Sequence, residues 1–173
     1  MAFLFYVGGE VAIGLWLASY LVTIQMFSIQ NASLFAGLFY ASITVGRIVT
    51  GFISIKVESR MLIRYGIALA VFGLLLLMMN FGAVASFLGI LLIGLGFAPI
   101  YPGMIHLTPE RFGKSKSAKV MSLQMVAGYI GASSIPPLIG ALTGLISLNS
   151  FVLIVVVALI GLALSTELVG KKS

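Results

Sequence analysis

The sequence predicts an all-α integral membrane protein: six transmembrane helices in two sets of three. Three observations predict it. Hydrophobic residues make up 61% of the 173 and charged residues only 8%, with a mean hydropathy of +1.21. A soluble domain has roughly 25% charged residues, so this chain cannot cover a water-facing surface and lipid is its solvent. Apolar runs of bilayer-crossing length, about 20 residues, recur six times with short breaks and leave no room for a separate soluble domain. The basic residues of the breaks, finally, occur in alternate breaks only.

Spans are expected near residues 3–24, 33–55, 61–80, 83–106, 118–140 and 148–168. The first begins MAFLFYVGGEVAIG, with no basic n-region, and so reads as a mature helix and not a signal peptide. It ends at the uncharged TIQMFSIQN. The second ends in IKVESRMLIR, with Lys56, Arg60 and Arg64, and the third at a tight NFG around Asn80 and Gly82. After the fourth comes HLTPERFGKSKSAK, with Arg111, Lys114, Lys116 and Lys119, expected as a cytoplasmic loop over about 107–117. The fifth closes on the uncharged ALTGLISLN, and the sixth precedes Lys171 and Lys172. Counted alternately, the basic breaks share one side, and short loops rich in Lys and Arg stay in the cytoplasm. Both termini are therefore expected in the cytoplasm, the chain lying in the cell (inner or plasma) membrane. The same bias accounts for a pI near 9.8 without invoking nucleic acid. The absence of Cys excludes disulfides and thiolate metal sites.

The spans are not alike. The third (IALAVFGLLLLMM) and sixth (FVLIVVVALIGLALS) are almost uniformly aliphatic, whereas the first, second, fourth and fifth carry the Gly, Pro, aromatic and polar residues. Small residues let helices approach closely, and polar groups or helix breaks are tolerated only against protein or a watery cavity. Each set of three thus has a lipid-facing third member, the recurrence expected of a transporter's structural repeat.

Glu10 lies inside the first span, about two turns from its start. Intramembrane acids usually line a pathway or relay protons. No Lys or Arg stands near it in sequence, so its carboxyl is expected to be unpaired and often neutral; a structural role, hydrogen-bonded to Tyr6 one turn away, is the alternative. Aromatic and polar residues share these spans: Tyr6, Trp16 and Tyr20 on the first, Tyr40 on the second, Gln124 and Tyr129 on the fifth. Such groups in an apolar wall suit a sugar-like ligand, although Trp and Tyr also form interfacial belts. Arg47, between Gly46 and Gly51, needs a partner at its depth, either a carboxylate or helix C-terminal carbonyls. Pro99 and Pro102 in GLGFAPIYPG, and Pro136 and Pro137 after ASSI, are expected to bend or break their helices. His106 reads as an interfacial residue. There is no GxSxG elbow, HExxH or Walker A loop, so no enzyme activity, cofactor or metal site is expected.

Four segments in order, YVGGEVAIGLWLASYL, GRIVTGFISIKVESRMLI, GFAPIYPGMIHLTPERFG and VMSLQMVAGYIGASSIPPLIGALTG, resemble the C-terminal half of a major facilitator superfamily transporter, specifically the fucose permease-like sugar:proton symporter group. The resemblance implies the seventh to twelfth helices of a twelve-helix fold, with the first, second, fourth and fifth spans lining a central cavity. It implies that Gly46, Arg47 and Gly51, with Arg60, belong to a cytoplasmic gate, although the motif's usual acidic residue is missing there. It also places the main proton-coupling carboxylates in the N-terminal half. The expected partners are the bilayer, a small-molecule solute, and a second six-helix half, either an N-terminal half or a second copy. Two rivals remain at this point. One is a substrate-capturing subunit of a multi-component importer, for which Gly8, Gly14 and Ala18 make a poor docking stripe. The other is a non-transporting fragment.

Overall fold

The computed structural model describes residues 1–170, with backbone alone at 169 and 170. Lys171 and Lys172, on which the charge bias draws to orient the C-terminus, lie outside the described residues. The order is α1 (Ala2–Thr23), α2 (Ile29–Ile53), α3 (Ser59–Met78), α4 (Ala83–Phe97), α5 (Ile100–Phe112), α6 (Lys114–Leu145) and α7 (Ser150–Gly170). Six helical stretches are long and apolar enough to cross a membrane, α4 and α5 together forming the fourth, Ala83–Phe112. At 1.5 Å per residue each spans roughly 28 Å or more, matching a hydrocarbon core of about 30 Å.

The turns follow from local chemistry. Met26 takes a left-handed φ of 58°, and the Ser28 hydroxyl then caps α2 by accepting from the Asn31 amide at 3.3 Å. Asn80 (φ 51°) and Gly82 (φ 89°) make the tight reversal between α3 and α4; both residue types tolerate this region. Gly113, at φ 78°, is the only non-helical residue between α5 and α6. The polar stretch 107–117 is therefore not a loop. It is two helix ends folded about one glycine, because Lys, Ser and Ala all tolerate helix and only Gly113 is asked for a left-handed backbone.

In the fourth span the helix is interrupted only at Ala98–Pro99. Pro102 lies inside α5, in its first turn, where a missing N–H costs nothing. In α6 the expected break is absent: the helix runs unbroken through Pro136 and Pro137. Each proline removes a ladder bond, yet α1 holds this stretch from the side. The Trp16 indole N–H donates to the Pro136 carbonyl at 3.1 Å.

Close approach of backbones sets the packing. A Cβ on Gly73 would come 2.6 Å from the Gly89 carbonyl oxygen, and one on Gly96 would come 2.6 Å from that of Gly66, so α3 and α4 touch main chain to main chain. Gly8 and Gly131 do the same for α1 and α6, at 2.8 Å. Van der Waals contact of this kind substitutes for a hydrophobic drive that lipid does not supply. α1 and α4 are the inner helices, α1 against α2, α6 and α7, α4 against α2 and α3. The least enclosed are α2 and α6, with 28% and 22% of their spanning windows buried against 39% for α3 and α7. The polar-bearing α2 and α6 thus lie open on one side of the bundle. Met1 and Leu168 line one cavity, so both ends of the described chain lie at the same end of the bundle. That end also carries Arg60, Arg64 and Arg111.

Candidate functional site

α1 and α2 run antiparallel, which brings residues equally distant from that end side by side. Glu10 is eight residues into α1, about 12 Å, and Arg47 six residues before the end of α2, about 9 Å. Arg47 Nη2 lies 3.6 Å from Glu10 Oε2, their side chains 46% and 20% exposed. Arg47 Nη2 also donates to the Tyr6 hydroxyl at 3.4 Å. The expectation of an unpaired Glu10 is therefore corrected. Sequence distance hides the partner, because 37 positions along the chain close to ion-pairing range once the two helices pair. Of the alternatives for Arg47, the carboxylate holds. It does not join Arg60.

An aromatic floor supports the pair. Tyr6 is fully buried, its ring centroid 5.7 Å from Phe97 and 6.0 Å from Tyr101. Phe3 meets Tyr101 edge-on at 5.5 Å, and Phe39 meets Phe97 at 6.1 Å. Phe97 and Tyr101 flank the interruption at Ala98–Pro99, and a Cβ on Gly46 would come 2.6 Å from Ala98 Cβ. The broken segment is thus seated directly against the residues that hold the charges. Tyr40, half exposed, packs its hydroxyl onto the Gly14 backbone, where a Cβ would collide with it. Its hydroxyl therefore lies one turn beyond Glu10 along α1, on the same helix face.

The structure brings together Tyr6, Glu10, Tyr40 and Arg47 and leaves three expected residues elsewhere. Trp16 faces α6, with Gly140 leaving room for its ring. Gln124 exchanges hydrogen bonds with Thr108, at 3.0 and 3.1 Å, nearer the basic end. Tyr129 is 73% exposed on α6 and makes no contact with the Glu10–Arg47 pair. Of the gate residues, Gly46 is a packing contact, a Cβ on Gly51 would meet nothing within 4 Å, and Arg60 Nε is buried with no hydrogen-bond partner among the described residues. Sequence reasoning misses the aromatic floor of Phe39, Phe97 and Tyr101. Its signal is the phasing of the aromatics around GFAPIY, which the prolines of that motif overshadow.

The arrangement is a polar cluster with a charge pair of no net charge, set in an apolar wall and open to one side of a membrane bundle. Groups so placed can bind a polar solute by hydrogen bonds, and a carboxyl beside a guanidinium can exchange its ionic partner for another ligand. No curated relative matches the chain. The family model of the Major Facilitator Superfamily matches residues 1–170, covering every helix that builds the cluster, and the chain belongs to that superfamily of membrane transporters.

Proposed function

We propose that the chain is the C-terminal half of a proton-coupled secondary transporter of the fucose permease-like group, and that its solute is a sugar or a similar small polar molecule. The observation that carries this reading is the Tyr6–Glu10–Tyr40–Arg47 cluster on the open side of the bundle. Hydroxyls and one charge pair suit a neutral polyhydroxylated solute better than an ion, since the pair already balances itself. Protonation of Glu10 would cancel its attraction for Arg47, so proton uptake and a rearrangement of the α1–α2 contact are one event. The exposed polar-bearing helices α2 and α6 fit a second six-helix half across a midplane site, supplied by an N-terminal half or by a second copy in a two-fold dimer. Both termini and the basic end face the cytoplasm of the cell membrane in this reading, by the bias of Lys and Arg.

Sealed vesicles containing the native assembly should accumulate labelled sugar when an inward proton gradient is applied, and a protonophore should abolish accumulation. Uptake indifferent to the protonophore overturns the coupling; an assembly that moves no neutral polyhydroxylated solute overturns the substrate class. Orientation is tested separately. With no native Cys, a cysteine at Ser28 or Ser147 should react with an impermeant maleimide from outside intact cells, and one at Ser117 should not.

A further inference from the structure

A cavity of about 430 Å³ opens at the basic end between the start of α1, the end of α5, the start of α6 and the end of α7. Its size is that of a small-molecule site, and it is separate from the Glu10–Arg47 cluster. Phe3, Leu123, Ala127 and Leu168 give it apolar walls, and Arg111 stands at its polar pole with Thr166. Leu123 and Leu168 are themselves exposed, so the cavity is open at the side of the bundle beside α6 and α7.

The pole carries a guanidinium, that of Arg111, in neither of the ion pairs found among the described residues. Arg111 Nε is buried and has no hydrogen-bond partner among the described residues, and neither has Arg60 Nε. Arg60, Glu167 and Glu110 act electrostatically on Arg111; both oxygens of Glu167 are already bonded to Arg64, at 2.7 and 2.8 Å, and Glu110 forms no ion pair with Arg111 among the described residues. Gln124 and Thr108, which also line the cavity, satisfy one another and supply no anion. Lys114, Lys116 and Lys119 extend the basic surface along the first turns of α6, all exposed. A guanidinium lining an apolar cavity, with no ion pair of its own, matches an anionic group attached to a hydrocarbon chain, and in a bilayer that group is a phosphate.

We propose that this cavity binds an anionic phospholipid, with the phosphate on the Arg111 guanidinium and the upper part of one acyl chain along Phe3, Leu123 and Ala127. The test is native mass spectrometry of the full chain released from detergent with added phosphatidylglycerol, phosphatidylcholine or inorganic phosphate. Phosphatidylglycerol should be retained over phosphatidylcholine, and Arg111→Gln should lower its retention about five- to ten-fold. Ala127→Phe keeps every charge and fills the cavity; it should lower retention comparably, and it serves as the test if Arg111→Gln does not fold. Lys119→Gln, which removes an exposed charge outside the cavity, should change little. Equal losses in Arg111→Gln and Lys119→Gln, or retention undiminished by Ala127→Phe, would overturn the site in favour of diffuse surface attraction. Displacement of phosphatidylglycerol by millimolar inorganic phosphate alone would overturn the lipid as its occupant.

Discussion

Among the described residues, two ion pairs join neighbouring helices, and they differ in geometry, depth and surroundings. Arg64 and Glu167 tie α3 to α7 in a bidentate fork of 2.7 and 2.8 Å, with side chains 61% and 48% exposed. Glu10 and Arg47 tie α1 to α2 at 3.6 Å, more deeply placed, over a floor of aromatic rings. Geometry is better in the first pair and consequence greater in the second. An exposed pair exchanges solvation for attraction at little net gain, whereas removing one partner of a sheltered pair strands the other in a medium that penalises it. In the transport reading proposed above, the well-formed outer pair is the one that stays and the longer inner contact the one that opens.

The largest expected effect breaks the inner pair. Glu10→Gln and Arg47→Gln should each reduce gradient-driven uptake about ten-fold or more, and each should destabilise the bundle, by roughly 1–3 kcal/mol once the partial exposure of Arg47 is allowed for. The double variant should be more stable than the sum of the singles predicts, with a coupling energy above about 1 kcal/mol, measured by a double-mutant cycle of thermal unfolding in detergent. Additive effects would show that the two side chains are neighbours without being partners. Glu10→Gln with normal accumulation would assign coupling wholly to the other half.

Tyr6→Phe sharpens the comparison at smaller scale. It removes the hydroxyl that accepts from Arg47 while keeping the ring against Phe97 and Tyr101, and should cost about 1 kcal/mol. If Tyr6 only fills space, melting will be unchanged; if it steadies Arg47, the coupling between Glu10 and Arg47 will also change in the Phe background. Smallest of all is Arg64→Gln. Its melting temperature should be indistinguishable from that of the parent in about 0.5 M salt, where exposed pairs are screened over a few ångströms. A large salt-insensitive loss would mean that the outer fork matters as the inner pair does.

The helices and their order are legible because bilayer thickness imposes a length that composition reveals directly, and each expected span overlaps a helix of the structure. Glycine and proline are harder to read. Pro99 interrupts its span as expected, but Pro136 and Pro137 do not, since what decides a proline's effect is whether a neighbour braces the helix, and the bracing Trp16 is 120 residues away. The stretch 107–117 reads as loop on polarity, whereas its polar residues are compatible with helix and only Gly113 reverses the chain. In the candidate site, depth is the useful quantity. Counting turns places Glu10 and Arg47 separately, and comparing the two counts pairs them. Trp16 and Gln124 share the right helices but turn their polar atoms to Pro136 and Thr108, and facing depends on rotation about the helix axis, which a list of polar residues does not contain.

The interruption at Ala98–Pro99 has a mechanical meaning. Above it, α4 is locked to α3 by backbone contact at Gly73 and Gly89. Below it, α5 packs on α3, where a Cβ on Gly103 would come 2.9 Å from Ile63 Cγ1, and Gly103 donates to the Pro99 carbonyl at 3.0 Å. Pro99 and Pro102 carry no N–H, so ladder bonds are missing at this point and a tilt of α5 works against fewer of them than elsewhere in the span. The fourth span is a fixed post carrying a jointed arm, and the joint is level with Tyr6. A swing of that arm would carry Tyr101 against the Tyr6 ring at one end and the Gly113 turn, with the whole shaft of α6 behind it, at the other.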